Sequence, residues 1–78
     1  MSKTITYKAY TIDSFPVQEL NSGQWRVDLT ISWESEGDRT TRPFSVEQTY
    51  STQEEAEIHG VTYGQRIIDG KVPGVSLG

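Results

Sequence analysis

The stretch Trp25-Arg26-Val27-Asp28-Leu29-Thr30-Ile31-Ser32-Trp33 decides the fold. Trp25, Val27, Leu29, Ile31 and Trp33 take every second place, and Arg26, Asp28, Thr30 and Ser32 fill the places between. A period of two is the repeat of a β-strand, so one face is apolar and buried while the other is polar and wet. Such a strand belongs to an antiparallel sheet covered on one side only.

Upstream, Tyr7-Lys8-Ala9-Tyr10-Thr11-Ile12 is rich in β-branched and aromatic residues and predicts a further strand. Ile5 and Tyr7 share one phase while Tyr10 and Ile12 share the other. That slip near Ala9 reads as a bulge, or as a strand that begins at Tyr7. Pro16 ends regular pairing or marks an edge, and Glu19-Leu20-Asn21-Ser22-Gly23 has the chemistry of a hairpin loop. Downstream, the charged turn Glu34-Ser35-Glu36-Gly37-Asp38 leads into a third strand from about Arg39 to Val46, with Phe44 and Val46 in its apolar phase. Pro43 lacks a ladder donor and suits an edge.

A helix follows. Thr52 as N-cap with Glu55 three places on has the spacing of a capping box, and Glu54 and Glu55 complement the positive end of the helix dipole. At 100° per residue, Ala56, Gly60, Tyr63, Gly64 and Ile67 fall on one face, flanked by Val61 and Ile68. Gly70 supplies the stop and Pro73 prevents resumption. Each interior glycine costs roughly 1 kcal/mol relative to alanine, which close approach of helix to sheet would offset. The expected architecture is therefore α+β, a three-stranded antiparallel sheet packed against one C-terminal helix (βββα). It is expected to span residues 1–70, with residues 71–78 as a flexible tail.

Seventy-eight residues with 33% apolar content make one domain with a small core, partly compensated by two Trp, four Tyr and two Phe. There is no cysteine, hence no disulfide framework and no thiolate metal site. The first residues, Met1-Ser2-Lys3-Thr4-Ile5-Thr6, hold no apolar run, so no secretory signal and no membrane span are expected and a cytoplasmic location is. The net charge is −4, the acid excess lies after residue 42, and no basic run occurs. That balance argues against tight phosphate binding and makes nucleic acid an unfavoured partner.

His59 is the sole histidine and is expected to pack on Tyr63 one helical turn later; without cysteine or a second histidine it makes no metal site. Glu54, Glu55 and Glu57 sit where capping and dipole effects already account for acidic residues, not as a facing catalytic pair. No Gly-x-Ser-x-Gly elbow, calcium loop or phosphate loop occurs, so neither an enzyme nor a cofactor is expected. The candidate binding residues are Arg26, Thr30 and Thr41 on the wet sheet face, with Ser32 and Lys8 nearby, and Trp33 at the end of its strand. A solvated sheet face is the usual explanation for the first three and a binding surface the sharper one, while core packing competes evenly for Trp33.

Two resemblances bear on this chain. Tyr7-x-x-Tyr10-x-Ile12, Gly23-Gln24-Trp25-Arg26-Val27, Phe44, Thr49-Tyr50-Ser51-Thr52-x-Glu54-Glu55-Ala56 and Ile67-Ile68-Asp69-Gly70 together resemble a family of short bacterial proteins, some of whose relatives carry a haemolysin-regulator (HlyU-like) label. The likeness covers roughly residues 7–70 and lies in fold-forming residues; it implies a bacterial cytoplasmic protein. More loosely, Gly-x-Trp, Phe and Thr-x-Glu-Glu-Ala are similar to the βββα domains of plant AP2-type factors and phage-integrase arm-binding domains. Those lay the sheet in the DNA major groove with faces rich in Arg and Trp, whereas this face carries Asp28, Thr30 and Ser32 beside Arg26. The leading expectation is a non-enzymatic interaction module for a protein partner or a weak homodimer formed along Tyr7–Ile12. A DNA-binding regulator using the sheet face is the alternative.

Overall fold

The computed structural model describes residues 3–77. An open antiparallel sheet of five strands carries one C-terminal helix on one face: β1 (Lys3–Tyr7), β2 (Tyr10–Ser14), β3 (Val17–Gln18), β4 (Trp25–Ser35), β5 (Asp38–Tyr50) and α1 (Gln53–Ile68). The α+β class is as the sequence predicts, but the sheet has five strands where three were expected.

The first extra strand comes from residues 8 and 9. Lys8 and Ala9 have φ of 49° and 69°, a two-residue turn that pairs Tyr7 with Tyr10 and Ile5 with Ile12. Residues paired across a ladder share a face, so the phase slip brings Ile5, Tyr7, Tyr10 and Ile12 to the same side of the sheet. It is therefore the mark of a hairpin, and neither a bulge nor a single strand over Tyr7–Ile12. Asparagine and glycine are the usual residues at two positive φ values, and their absence hid the turn.

The second extra strand comes from Pro16. Ser14 pairs with Leu29, Phe15 N–H donates to Asp28 O at 2.9 Å, and Val17 pairs with Arg26. β2 and β3 thus lie along the same edge of β4 in one register, interrupted where proline has no N–H to give. β4 is central, with β2 and β3 on one side and β5 on the other. β5 joins it through Glu36 and Gly37, both at positive φ, and runs past Pro43 to Tyr50, longer than the expected Arg39–Val46.

Ile12, Val27, Leu29, Ile31, Ala56 and Ile67 form the core, each at most 2% exposed. α1 lies over β2 and β4 at glycine distance. A Cβ built on Gly60 would stand 2.1 Å from Ser14 Oγ, and one on Gly64 would stand 2.9 Å from Ile12 Cγ2. Ser14 is fully buried and its hydroxyl donates to Glu57 O of the helix at 3.0 Å. Thr52 caps the helix by accepting from Glu55 N at 3.2 Å, while the Glu55 carboxylate receives the hydroxyls of Ser51 and Thr52 at 3.1 Å each. At the other end Gly70 N–H donates to Ile67 O and Lys71 N–H to Arg66 O, the paired bonds of a Schellman stop with Gly70 at φ 72°. Beyond it, in the segment expected as a tail, Val72, Val75 and Leu77 lie against the core, and Arg42 Nη1 donates to Ser76 O at 2.7 Å.

Candidate functional site

The four residues singled out from sequence fall on two faces. Arg26, Thr30 and Thr41 are on the open face opposite the helix, where Ser32 pairs with Thr41 and Thr30 with Pro43. Trp33 is on the helix side of the sheet, edge-on to Tyr10 at 5.6 Å. Arg26 is committed within its own strand, Nε to Asp28 Oδ2 at 3.1 Å, and Thr41 shares a hydrogen bond with Ser32 at 3.1 Å. Asp13, paired with Thr30, adds a further carboxylate to this face. Phe15 and Val17 are exposed there at 38% and 43%, a small apolar patch beside Pro16.

Tyr7–Ile12, expected as a free edge, is divided between the outermost strand and an inner one: β2 is flanked by β1 and β4. The outer strands are β1, the short β3 and β5. Of these, β5 borders a groove. Because Ala56, Gly60 and Gly64 draw α1 down onto β2 and β4, the larger side chains on the next helical stripe stand off β5 and leave a gap. His59, Thr62, Tyr63 and Arg66 supply the helical wall, Gln48 and Tyr50 the strand wall, and Val27 and Val46 the floor, around about 140 Å³. The spacing 59, 62, 63, 66 is one face of a helix. The register shift between Arg26 and Val27 adds Glu47 and Gln48 to β5, an even insertion that keeps Val46, Gln48 and Tyr50 on the helix side.

The His59 ring stacks on Tyr50, centroids 4.2 Å apart and planes 6° from parallel, and not on Tyr63 as expected. The Tyr50 hydroxyl donates to Gln48 Oε1 at 3.3 Å. Among the described residues no carboxylate lines the groove. The ion pairs among the described residues are Lys8–Asp69 and Arg26–Asp28, and Arg66 is in neither. The sequence does not single out this helical stripe, since its periodicity places Tyr63 on the core face and His59 beside it. Nor does it show the strand facing the stripe, because nothing local says which strand a helix face will meet.

A polar cluster joins the far end of α1 to the first hairpin. Asp69 caps α1 and receives Lys8 Nζ at 2.7 Å and the Tyr7 hydroxyl at 2.8 Å, tying the β1–β2 turn to the helix terminus. The Lys8 bond, then the Tyr7 bond, hold the Asp69 carboxyl below its ordinary 3.8. The bond to Asp69 likewise raises the Lys8 ammonium above 10.5. A carboxyl lowered in the folded state contributes stability above its unfolded pKa and loses it as pH falls through the folded value. The raised ammonium contributes below its unfolded pKa and loses it as pH rises through the folded value. Asp69→Asn should therefore lower the urea midpoint at neutral pH and make the decline below about pH 4 shallower. An acid limb unchanged by the substitution would remove Asp69 from the account.

Among the described residues no group of three or more His, Asp or Glu side chains converges as a metal site, and no helix is long and apolar enough to cross a membrane. The fold defines an α+β domain, an open antiparallel sheet with one terminal helix. Comparison with family models, curated proteins and solved structures finds no match, so no family is assigned.

Proposed function

We propose that the chain is a non-enzymatic interaction module that takes an extended segment of a partner protein along the outer edge of β5, beside the groove under α1. One observation carries this reading. The helix-side residues Val27 and Leu29 of β4 are at most 2% exposed, whereas their β5 partners Val46 and Phe44 are only half-buried, as is Tyr50 further along β5. An outer strand with open backbone groups, an apolar row and an adjoining groove is the arrangement by which sheets accept an added strand. Pro43 removes a donor from the edge toward the hairpin turn and leaves Phe44–Tyr50 as the accepting segment.

The alternative, DNA on the open face, is less favoured because Arg26 is spent on Asp28 and Asp13 lies on the same surface. A bacterial cytoplasmic setting belongs to the proposal on the strength of the resemblance to short bacterial proteins alone. The reading is tested by selecting random displayed peptides on the full chain and mapping their binding by amide chemical shifts. Shifts should concentrate at residues 44–50 of β5 and 59–66 of α1. Shifts confined to the open face, or no peptide selected at all, would refute it.

A further inference from the structure

We infer that the segment taken by the groove is acidic, with an Asp or Glu side chain of the partner seated on Arg66. This deepens the proposal above and rests on it. The acids one helical turn away from Arg66 and His59 are engaged elsewhere. Asp69, three residues after Arg66 and so its neighbour on the helix, is held by Lys8 at 2.7 Å and Tyr7 at 2.8 Å. Glu55, four residues before His59, is held by the hydroxyls of Ser51 and Thr52. The chain carries eleven acidic residues against seven basic ones, yet none of the acids lines this groove.

The result is a site of locally positive character on an acidic protein, bounded by donors: the Arg66 guanidinium, the hydroxyls of Thr62 and Tyr63, and the amide of Gln48. Position in the last helical turn favours any cation there through the dipole, but it does not account for a groove without carboxylates. Arginine presents a planar fork that matches a carboxylate in two parallel bonds. The capture of a chain end uses a nest of backbone N–H groups. Here the donors are side chains in the later turns of a helix, so a side-chain carboxylate within an extended segment is the occupant. Facing residues of such a segment lie about 6.7 Å apart, so with a carboxylate opposite Arg66 an apolar residue two places away covers Val46.

The test is peptide selection from a random displayed library on the wild-type chain and on Arg66→Gln and Arg66→Glu, with urea melts showing that all three are equally folded. Wild type should enrich Asp or Glu two places from an apolar residue. Arg66→Gln should lose the preference and Arg66→Glu should replace it with Lys or Arg. In a synthetic selected peptide, Glu→Gln at that place should weaken binding about tenfold, and amidating its C-terminus should leave binding unchanged. Peptides that map to β5 and α1 without acid enrichment would overturn the inference and leave the strand-accepting module standing. So would an acid preference that survives in Arg66→Glu, or binding that depends on a free C-terminal carboxylate. If no peptide maps to the groove, the module and its specificity fall together.

Discussion

Gly60→Ala is expected to destabilise the protein by about 1–2 kcal/mol net, although alanine is the better helix former by roughly 1 kcal/mol. The added Cβ would stand 2.1 Å from Ser14 Oγ and 3.1 Å from Ser14 Cβ, with Val27 Cγ1 behind at 3.5 Å. Ser14 cannot retreat, because it is fully buried on a strand flanked on both sides. Either its hydroxyl abandons Glu57 O and is left buried without a partner, at about 1–3 kcal/mol, or α1 lifts and opens a void along Ala56 and Gly64. Both routes outweigh the gain in helix propensity. The diagnostic is the pair of substitutions. Ser14→Ala alone removes the hydroxyl and costs about 1 kcal/mol. It also removes the atom with which the new methyl collides, so Ser14→Ala with Gly60→Ala should be more stable than the sum of the single effects by about 1–2 kcal/mol. Urea melts of the four proteins measure that coupling. Strict additivity would mean that Ser14 and Gly60 do not meet in the way the geometry requires.

The parts of this architecture that were readable are those in which one local signal meets no competitor. Alternation from Trp25 to Trp33 has no helical interpretation, and β4 is where that pattern lies. The helix limits were equally plain, since Thr52, Glu55 and Gly70 each carry a capping role that the structure shows in hydrogen bonds. The two added strands were hidden by turn chemistry. A turn made of Lys8 and Ala9 places two residues with side chains at positive φ, where each costs about 1–2 kcal/mol, so composition argues against it. Its bonds from Tyr7 and Lys8 to Asp69 are contributions from the tertiary fold that local sequence cannot display. Pro16 was read as a stop because a proline cannot donate, yet one missing bond does not change the register of the residues after it. The binding residues suffered most. Arg26 and Thr41 are polar and outward as expected, but their partners, Asp28 and Ser32, lie beside them. The groove depends on α1 lying close over β2 and β4, where Gly60 and Gly64 meet Ser14, Val27, Ile12 and Leu29, and no alternation records that.

Gly64→Val should cost about 1–3 kcal/mol, while Gly64→Ala should be close to neutral. The first methyl at this position would lie 2.9 Å from Ile12 Cγ2, 3.0 Å from Ile12 Cδ1 and 3.1 Å from Leu29 Cδ1. Ile12 Cδ1 and Leu29 Cδ1 are ends of aliphatic side chains. Ile12 Cγ2, fixed on the branched Cβ, needs only about a tenth of an ångström of relief to reach 3.0 Å, less than a buried hydroxyl bonded to a carbonyl must give. Alanine's advantage of about 1 kcal/mol in the helix is then enough to offset the compression. Valine brings two further methyl groups into the same contact and surrenders much of the helix advantage through its restricted χ1. Ile12 and Leu29 are fully buried, so the volume has no exit except through displacement of α1. The contrast with Gly60 separates the two causes. At Gly60 a single methyl is already destabilising, because what it displaces is polar; at Gly64 the penalty must grow with volume, because what it displaces is apolar. Urea midpoints for glycine, alanine and valine at position 64 decide the matter. A valine variant as stable as wild type would show that the helix is not held at glycine distance from Ile12 and Leu29.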